Sequence, residues 1–175
     1  MKIIPTKFTG LKIVKSENYK DYRGSFKEDF KQKFFKNKKF MFACTSNSKK
    51  NVIRGLHLQT RFPQGKYISV LKGSIFDIAL DLRKNSRTFG KHFKIILSEK
   101  NATSIFIPEG FAHGFMGLDK ENIIHYLCTN YRAAKNEIGL LWNDKDLKIK
   151  WPNNNPIISK KDKKNLTFKE FKNLF

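Results

Sequence analysis

The stretch from Lys66 to Leu82, KYISVLKGSIFDIALDL, constrains the fold more than any other part of this chain. It is rich in β-branched and aromatic residues and is broken once, by Lys72-Gly73, which reads as a turn between two strands. Shorter apolar runs lie at His92 to Ser98, Ser104 to Ile107 and Ile123 to Thr129. Turn-forming clusters separate them: Arg83-Lys84-Asn85-Ser86, Glu99-Lys100-Asn101 and Asp119-Lys120-Glu121-Asn122. Many short strands at close spacing specify an antiparallel barrel or jelly roll. Helix signals are few. Asp29 to Phe35 is one candidate, and the stretch after Ser159, with Ser159 as N-cap, is another. The expectation is an all-β fold with a few short peripheral helices.

With 175 residues, 17 of them Phe, the chain can bury its own core. No repeat, linker or break in composition divides it, so residues 1–175 are expected to form one domain with a very basic tail from about 160. No stretch approaches the roughly 20 apolar residues of a membrane span, and the N-terminus lacks an apolar signal region. The chain therefore reads as cytoplasmic, without a membrane partner. Cys44 and Cys128 form no metal-type cluster and are expected as two reduced thiols.

The net charge of +21 comes from 36 basic residues, of which only six are Arg. Scattered Lys and frequent Asn point to the codon bias of an AT-rich genome rather than to a nucleic-acid surface. Such a field still draws in an anionic substrate. Where a chain defaults to Lys, a retained Arg suggests a need for the planar guanidinium. Arg23 and Arg54 fall inside the densest polar motifs.

Five local patterns carry groups capable of chemistry. Asp21 to Glu28 (DYRGSFKE) sets Arg23 and Glu28 around a glycine; alone it is equally a turn into an edge strand. Arg54 to Gln59 (RGLHLQ) places Gly55, His57 and Gln59 on one face of a strand and Arg54, Leu56 and Leu58 on the other. A histidine among apolar residues is more often packed core than catalyst. Gln64-Gly65-Lys66 opens the strongest strand, and an inward Lys66 must face an anion or a developing negative charge. Pro108 to Phe115 (PEGFAHGF) has the form of a second cupin metal motif around His113. A first motif would need a histidine where Gln59 stands, so no metal site is expected. Tyr126 lies in a strand, and Asp162 in a Lys-rich segment; each alone reads as core and as solvated charge.

Taken together, the motifs resemble the dTDP-4-dehydrorhamnose 3,5-epimerase family of sugar-nucleotide epimerases. DYRGSFKEDF, IRGLHLQ, the stretch from Gln64 to Lys91, IPEGFAHGF, WNDKDLKIKWP and ISKKD occur in the family's order, from about Lys2 to Asp162. The resemblance implies a cupin jelly roll working as a homodimer, with the segment bearing Arg23 and Glu28 exchanged into the partner's site. It implies His57 as general base, Asp162 as its paired carboxylate, Tyr126 as general acid and Lys66 as an oxyanion-stabilising cation. Lys66, Arg54, His113, Glu137 and Lys161 match positions that contact substrate. The implied substrate is a nucleotide-diphosphate sugar bearing a 4-ketone, the implied reaction epimerisation at C3, C5 or both, and no cofactor is required.

Three positions depart from the family's pattern. Phe42 and Cys44 stand where Gln and Asn are usual, and Arg132 where a second aromatic is often found after Tyr131. The catalytic set is intact and the recognition set is altered. The alternatives are a single-site epimerase acting on another sugar nucleotide, such as a GDP-linked keto sugar, a ketoisomerase on a related scaffold, or a sugar-nucleotide binding protein without turnover.

Overall fold

A computed structural model describes residues 1–174. Two antiparallel sheets face each other. The first is built from β1 (Lys2–Pro5), β2 (Lys12–Lys15), β5 (Phe42–Lys49), β7 (Lys66–Lys72), β10 (Thr103–Ile107) and β12 (Glu121–Cys128), in the order β1-β2-β10-β7-β12-β5. The second runs β13-β6-β11-β8-β9, from β6 (Val52–Gln59), β8 (Ser74–Asp81), β9 (His92–Ser98), β11 (Phe111–Gly117) and β13 (Glu137–Gly139). A short β14 (Ile157–Ile158) adds to β6 in parallel. Strands β3 (Asn18–Asp21) and β4 (Gly24–Lys27) form a separate hairpin.

Inward residues of both sheets make one apolar cluster: Ile68 and Val70 of β7, Ile75 and Ala79 of β8, Ile105, Phe115 and Ile124. The opposite faces are not left to water. Phe76, Ile78 and Leu80 of β8 pack outward under Leu147, Trp151, Phe168 and Phe171. Tyr67 and Phe106 pack outward under Phe30, Phe35 and Phe40. Burial on both faces is why Lys66–Leu82 reads as a nearly continuous apolar run instead of a clean alternation. The turn inside it is where the sequence puts it: Gly73 has φ +78, and a Cβ there would lie 2.3 Å from the Glu121 carbonyl oxygen.

Two helix expectations are corrected in detail. Asp29 to Phe35 shortens to a 3-10 turn at Gln32–Phe35, because Phe35 must reach the outer face of the first sheet. After Ser159 the chain makes a 3-10 turn at Asp162–Lys164, then helix α1 (Phe168–Asn173). Ser159 Oγ does accept from the Asp162 amide at 3.0 Å, but α1 is capped by Thr167 in a reciprocal box with Glu170. Six residues are too few to hold a helix alone. Phe168 and Phe171, both buried, fix α1 to the second sheet.

Asp81 closes the loop between β8 and β9. It is fully buried and accepts bonds from Arg83, Ser86 and Thr88 at 2.6–2.9 Å. Burial pushes its carboxyl up, but these donors outweigh that and hold it at about 2, against an ordinary 3.8. A folded value below the unfolded one stabilises the protein above the unfolded value and is lost as pH falls through the folded one. Asp81→Asn should therefore cost about 2 kcal/mol near neutral pH. The two proteins should converge near the folded value, about 2. Urea unfolding across that range checks this; a gap that persists in acid would mean the loss is steric rather than ionic.

Candidate active site

Between the open ends of the two sheets lies a cavity of about 710 Å³. Strand β6 shapes one wall. His57 pairs with His113 of β11 and Arg54 with Phe115, so three steps along β6 match two along β11. The extra residue is a bulge, which re-aims side chains. Strict alternation expected Arg54 on the face of Leu56 and Leu58. Instead Leu56 and Leu58 stay in the outer core, and Arg54 joins His57 on the cavity wall. Glycines permit this. Gly55 has φ +122, and a Cβ on it would meet Gly114 Cα and the His113 carbonyl oxygen, each at 2.6 Å.

His57 bonds through Nε2 to Asp162 Oδ1 at 2.7 Å. Asp162 is 4% exposed, and its other oxygen accepts from the Gly55 amide at 3.5 Å. Burial raises its carboxyl, but the His57 bond and charge, with the Gly55 and Ser159 bonds, hold it below the ordinary range. With Nε2–H donating to the carboxylate, the lone pair of His57 sits on Nδ1. Beside it, His113 Nε2 contacts Asp77 Oδ2 at 2.7 Å, and Asp77 is fully buried.

The facing wall comes from the first sheet. Tyr126 of β12 lies opposite Cys44 of β5 and Ile68 of β7. Its hydroxyl is 3.2 Å from Ser46 Oγ. Burial drives the Tyr126 phenol above the ordinary tyrosine range, with Ser46 opposing, so it stays protonated. Lys66 opens β7 from the same wall. Burial pulls its ammonium down, while Cys128, Glu137, Cys44 and Asp77 pull it back up. Near the second-sheet edge Lys161 Nζ donates to Glu137 Oε1 at 2.6 Å. Burial raises the Glu137 carboxyl, and Lys161, His57 and Arg132 hold it below its usual range. Arg54 donates to Ser48 Oγ at 2.9 Å and to the Asn47 carbonyl at 3.1 Å.

His57, Tyr126, Asp162, Lys66, Arg54, His113, Glu137 and Lys161 thus line one cavity, together with Phe42, Cys44 and Arg132. Arg23 and Glu28 do not. Arg23 pairs with Asp21 at 2.7 Å on the β3–β4 hairpin, and Glu28 pairs with Lys31 at 2.6 Å. Sequence reasoning passed over Asp77. The signal for it is an acid at an inward position of an otherwise apolar strand, since a buried carboxylate demands a partner. Among the described residues no group of three or more His, Cys, Asp or Glu side chains is placed to hold a metal ion.

Two facing antiparallel sheets around one polar-lined cavity define a cupin-like jelly roll. The chain belongs to the dTDP-4-dehydrorhamnose 3,5-epimerase family, whose model matches residues 5–170. It is 42% identical over 169 residues to the dTDP-4-dehydrorhamnose 3,5-epimerase of Methanothermobacter thermautotrophicus, covering 93% of this chain and 91% of that one. The crystal structure of the Elizabethkingia anophelis enzyme of that name superposes with a TM-score of 0.90 at 36% identity, covering 97% of each chain. A dTDP-6-deoxy-D-glucose-3,5-epimerase from Legionella pneumophila, in complex with dTDP-4-keto-L-rhamnose, superposes at 0.89 with 39% identity, covering 94% of this chain and 90% of that one.

The chain has five tyrosines. Burial holds two of them back: Tyr67, pushed up to about 12, and Tyr126, higher still. In an alkaline absorbance titration, Tyr126→Phe should remove amplitude only from the late-ionising fraction. Loss from the early fraction would show that the hydroxyl is solvated.

Proposed function

We propose that the protein inverts stereocentres beside the ketone of a nucleotide-linked 4-keto-6-deoxy sugar of the dTDP-4-dehydro-6-deoxyglucose type, a step of deoxysugar biosynthesis. The observation that carries this is the placement of His57–Asp162 on one sheet and Tyr126–Lys66 on the other, around one cavity. A C4 ketone acidifies the hydrogens on C3 and C5, because the carbanion delocalises onto oxygen. His57 Nδ1 takes such a proton, and the Asp162 carboxylate orients the ring and stabilises the imidazolium. Lys66 offers its ammonium to the developing oxyanion at O4. Tyr126, held protonated, returns a proton to the carbon from the opposite wall. Solvent then resets both groups, and no electrons are exchanged with a cofactor. Arg54, His113, Glu137 and Lys161 bind substrate, and the net charge of +21 steers the diphosphate inward.

Incubation with dTDP-4-keto-6-deoxyglucose in D2O, monitored by NMR, tests the reaction. Exchange is expected at C3 and C5, with His57→Ala lowering it at least about a thousandfold. Tyr126→Phe should slow product formation more than exchange. Unimpaired exchange in His57→Ala removes it as the base. Exchange at one carbon only, or only with a GDP-linked sugar, would support the alternative in which Phe42, Cys44 and Arg132 set a different specificity.

We further propose a homodimer in which the β3–β4 hairpin completes the partner's cavity. Tyr19, Tyr22 and Phe26 are exposed on it, Tyr22 by 97%, and its Arg23 and Glu28 lie outside the chain's own cavity. Chains bearing Arg23→Ala and His57→Ala, each inactive alone, should recover about a quarter of wild-type activity when mixed, because half the dimers then hold one complete site. No recovery in a mixture shown to exchange subunits would place Arg23 outside the partner's site. Work in the cytoplasm fits the two unpaired thiols, Cys44 and Cys128.

A further inference from the structure

The cavity wall carries a pair of thiols that the reaction above does not use. Cys44 of β5 lies opposite Tyr126 in register, and Cys128, two residues further along β12, lies opposite Lys66 of β7. Both therefore point to the inner face, and both line the cavity. Cys44 is exposed there and Cys128 is buried behind it. The register makes them diagonal neighbours on one face of the β5–β12 pair. Burial first, then the neighbouring Cys44, pushes the Cys128 thiol up to about 12, while Lys66 opposes both. The cavity wall thus presents two thiols beside Lys66.

We propose that Cys44 and Cys128 form a two-thiolate site for a soft monovalent metal ion of the Cu(I) class, and that its occupancy shuts the substrate cavity. Soft sulfur ligands select Cu(I), which is satisfied by two of them. Zinc is not, since it wants four ligands. No third His, Cys, Asp or Glu joins the pair among the described residues. A disulfide fits the backbone less well. Diagonal neighbours on antiparallel strands stand about 7–8 Å apart at Cα, whereas disulfides span about 4.4–6.8 Å. A bridging ion lengthens the span and needs only side-chain rotation.

The step balances. Two S–H bonds break, two S–Cu bonds form, two protons leave to solvent, and no atom changes oxidation state. The bis-thiolate complex carries one negative charge, which the Lys66 ammonium offsets at close range. Bound there, the ion stands between the Tyr126 and Lys66 side chains, and the effect on turnover rests on the proposed use of this cavity by substrate.

The test uses the whole protein under anaerobic conditions, with Cu(I) supplied as its bicinchoninate complex. The wild-type chain should withdraw a single Cu(I). Cys44→Ser and Cys128→Ser should each weaken retention by at least about a hundredfold, the most that losing a mere supporting partner costs. X-ray absorption should show sulfur neighbours alone. Deuterium exchange into the sugar should fall in step with occupancy and return when a chelator removes the ion. Retention unchanged in either variant, or nitrogen and oxygen neighbours at the copper, would overturn the site. Full occupancy with undiminished exchange would overturn its inhibitory effect. Should the metal-free chain show no exchange with any keto sugar, the epimerase reading fails on its own; copper retention and neighbours still decide the site, and displacement of dTDP by copper decides the blockage.

Discussion

One buried carboxylate organises the reacting end of this molecule. Asp162 sits in the sequence Lys160-Lys161-Asp162-Lys163-Lys164, where a carboxylate would ordinarily be a solvated charge. It is buried instead, against His57 and the Gly55 amide. Removing such a charge from water is costly unless it is paired and hydrogen-bonded. Here the pairing spans more than a hundred residues of chain. The segment reaches β6 because β14 pairs with it in parallel, because Ser159 turns the backbone at Asp162, and because Phe168 and Phe171 anchor helix α1 beyond it. The orientation of His57 thus depends on aromatic packing at the far end of the chain.

The interior is divided. One part is dry, filled by Ile68, Val70, Ile105, Phe115 and Ile124. The other carries Lys66, Asp77, His113, Tyr126 and His57. In a low-dielectric space each charge sets the state of its neighbours. Burial pulls the Lys66 ammonium down while Cys128, Glu137, Cys44 and Asp77 oppose it, and Lys161, His57 and Arg132 hold the Glu137 carboxyl below its usual range. The outer faces of the sheets owe their cover to phenylalanine. Phe30, Phe35 and Phe40 seal Tyr67 and Phe106 with edge-on and stacked contacts, which explains the large aromatic content of such a polar chain.

Much of this was legible in the sequence. The β7–β8 hairpin, the limits of β9 and the turns around them come from β-branched runs and glycine placement, which are local signals. The cavity-lining residues on β6, β11 and β12 were legible as motifs, and the family resemblance grouped them. What local pattern missed is non-local. Arg54 was placed on the wrong face because the β6 bulge is set by its partner β11 and by Gly114, neither visible from RGLHLQ alone. Asp162 looked solvated because nothing in its neighbours announces the histidine it meets. Helix limits failed where two phenylalanines, not a cap after Ser159, decide where the chain turns.

The jelly roll also explains why this chemistry suits this architecture. Epimerisation needs a base on one face of a carbon and an acid on the other. A single sheet offers side chains on one side of a ligand only. Two sheets facing each other offer both sides by construction, and neighbouring strands within each sheet supply the groups that tune them. Asp162 and Asp77 approach His57 and His113 of the second sheet, while Ser46 approaches Tyr126 of the first. The two walls differ by environment: His57 is hydrogen-bonded to a carboxylate, while Tyr126 is desolvated and kept neutral. That difference is what the proposed division of labour, proton removal at the second sheet and proton return at the first, rests on.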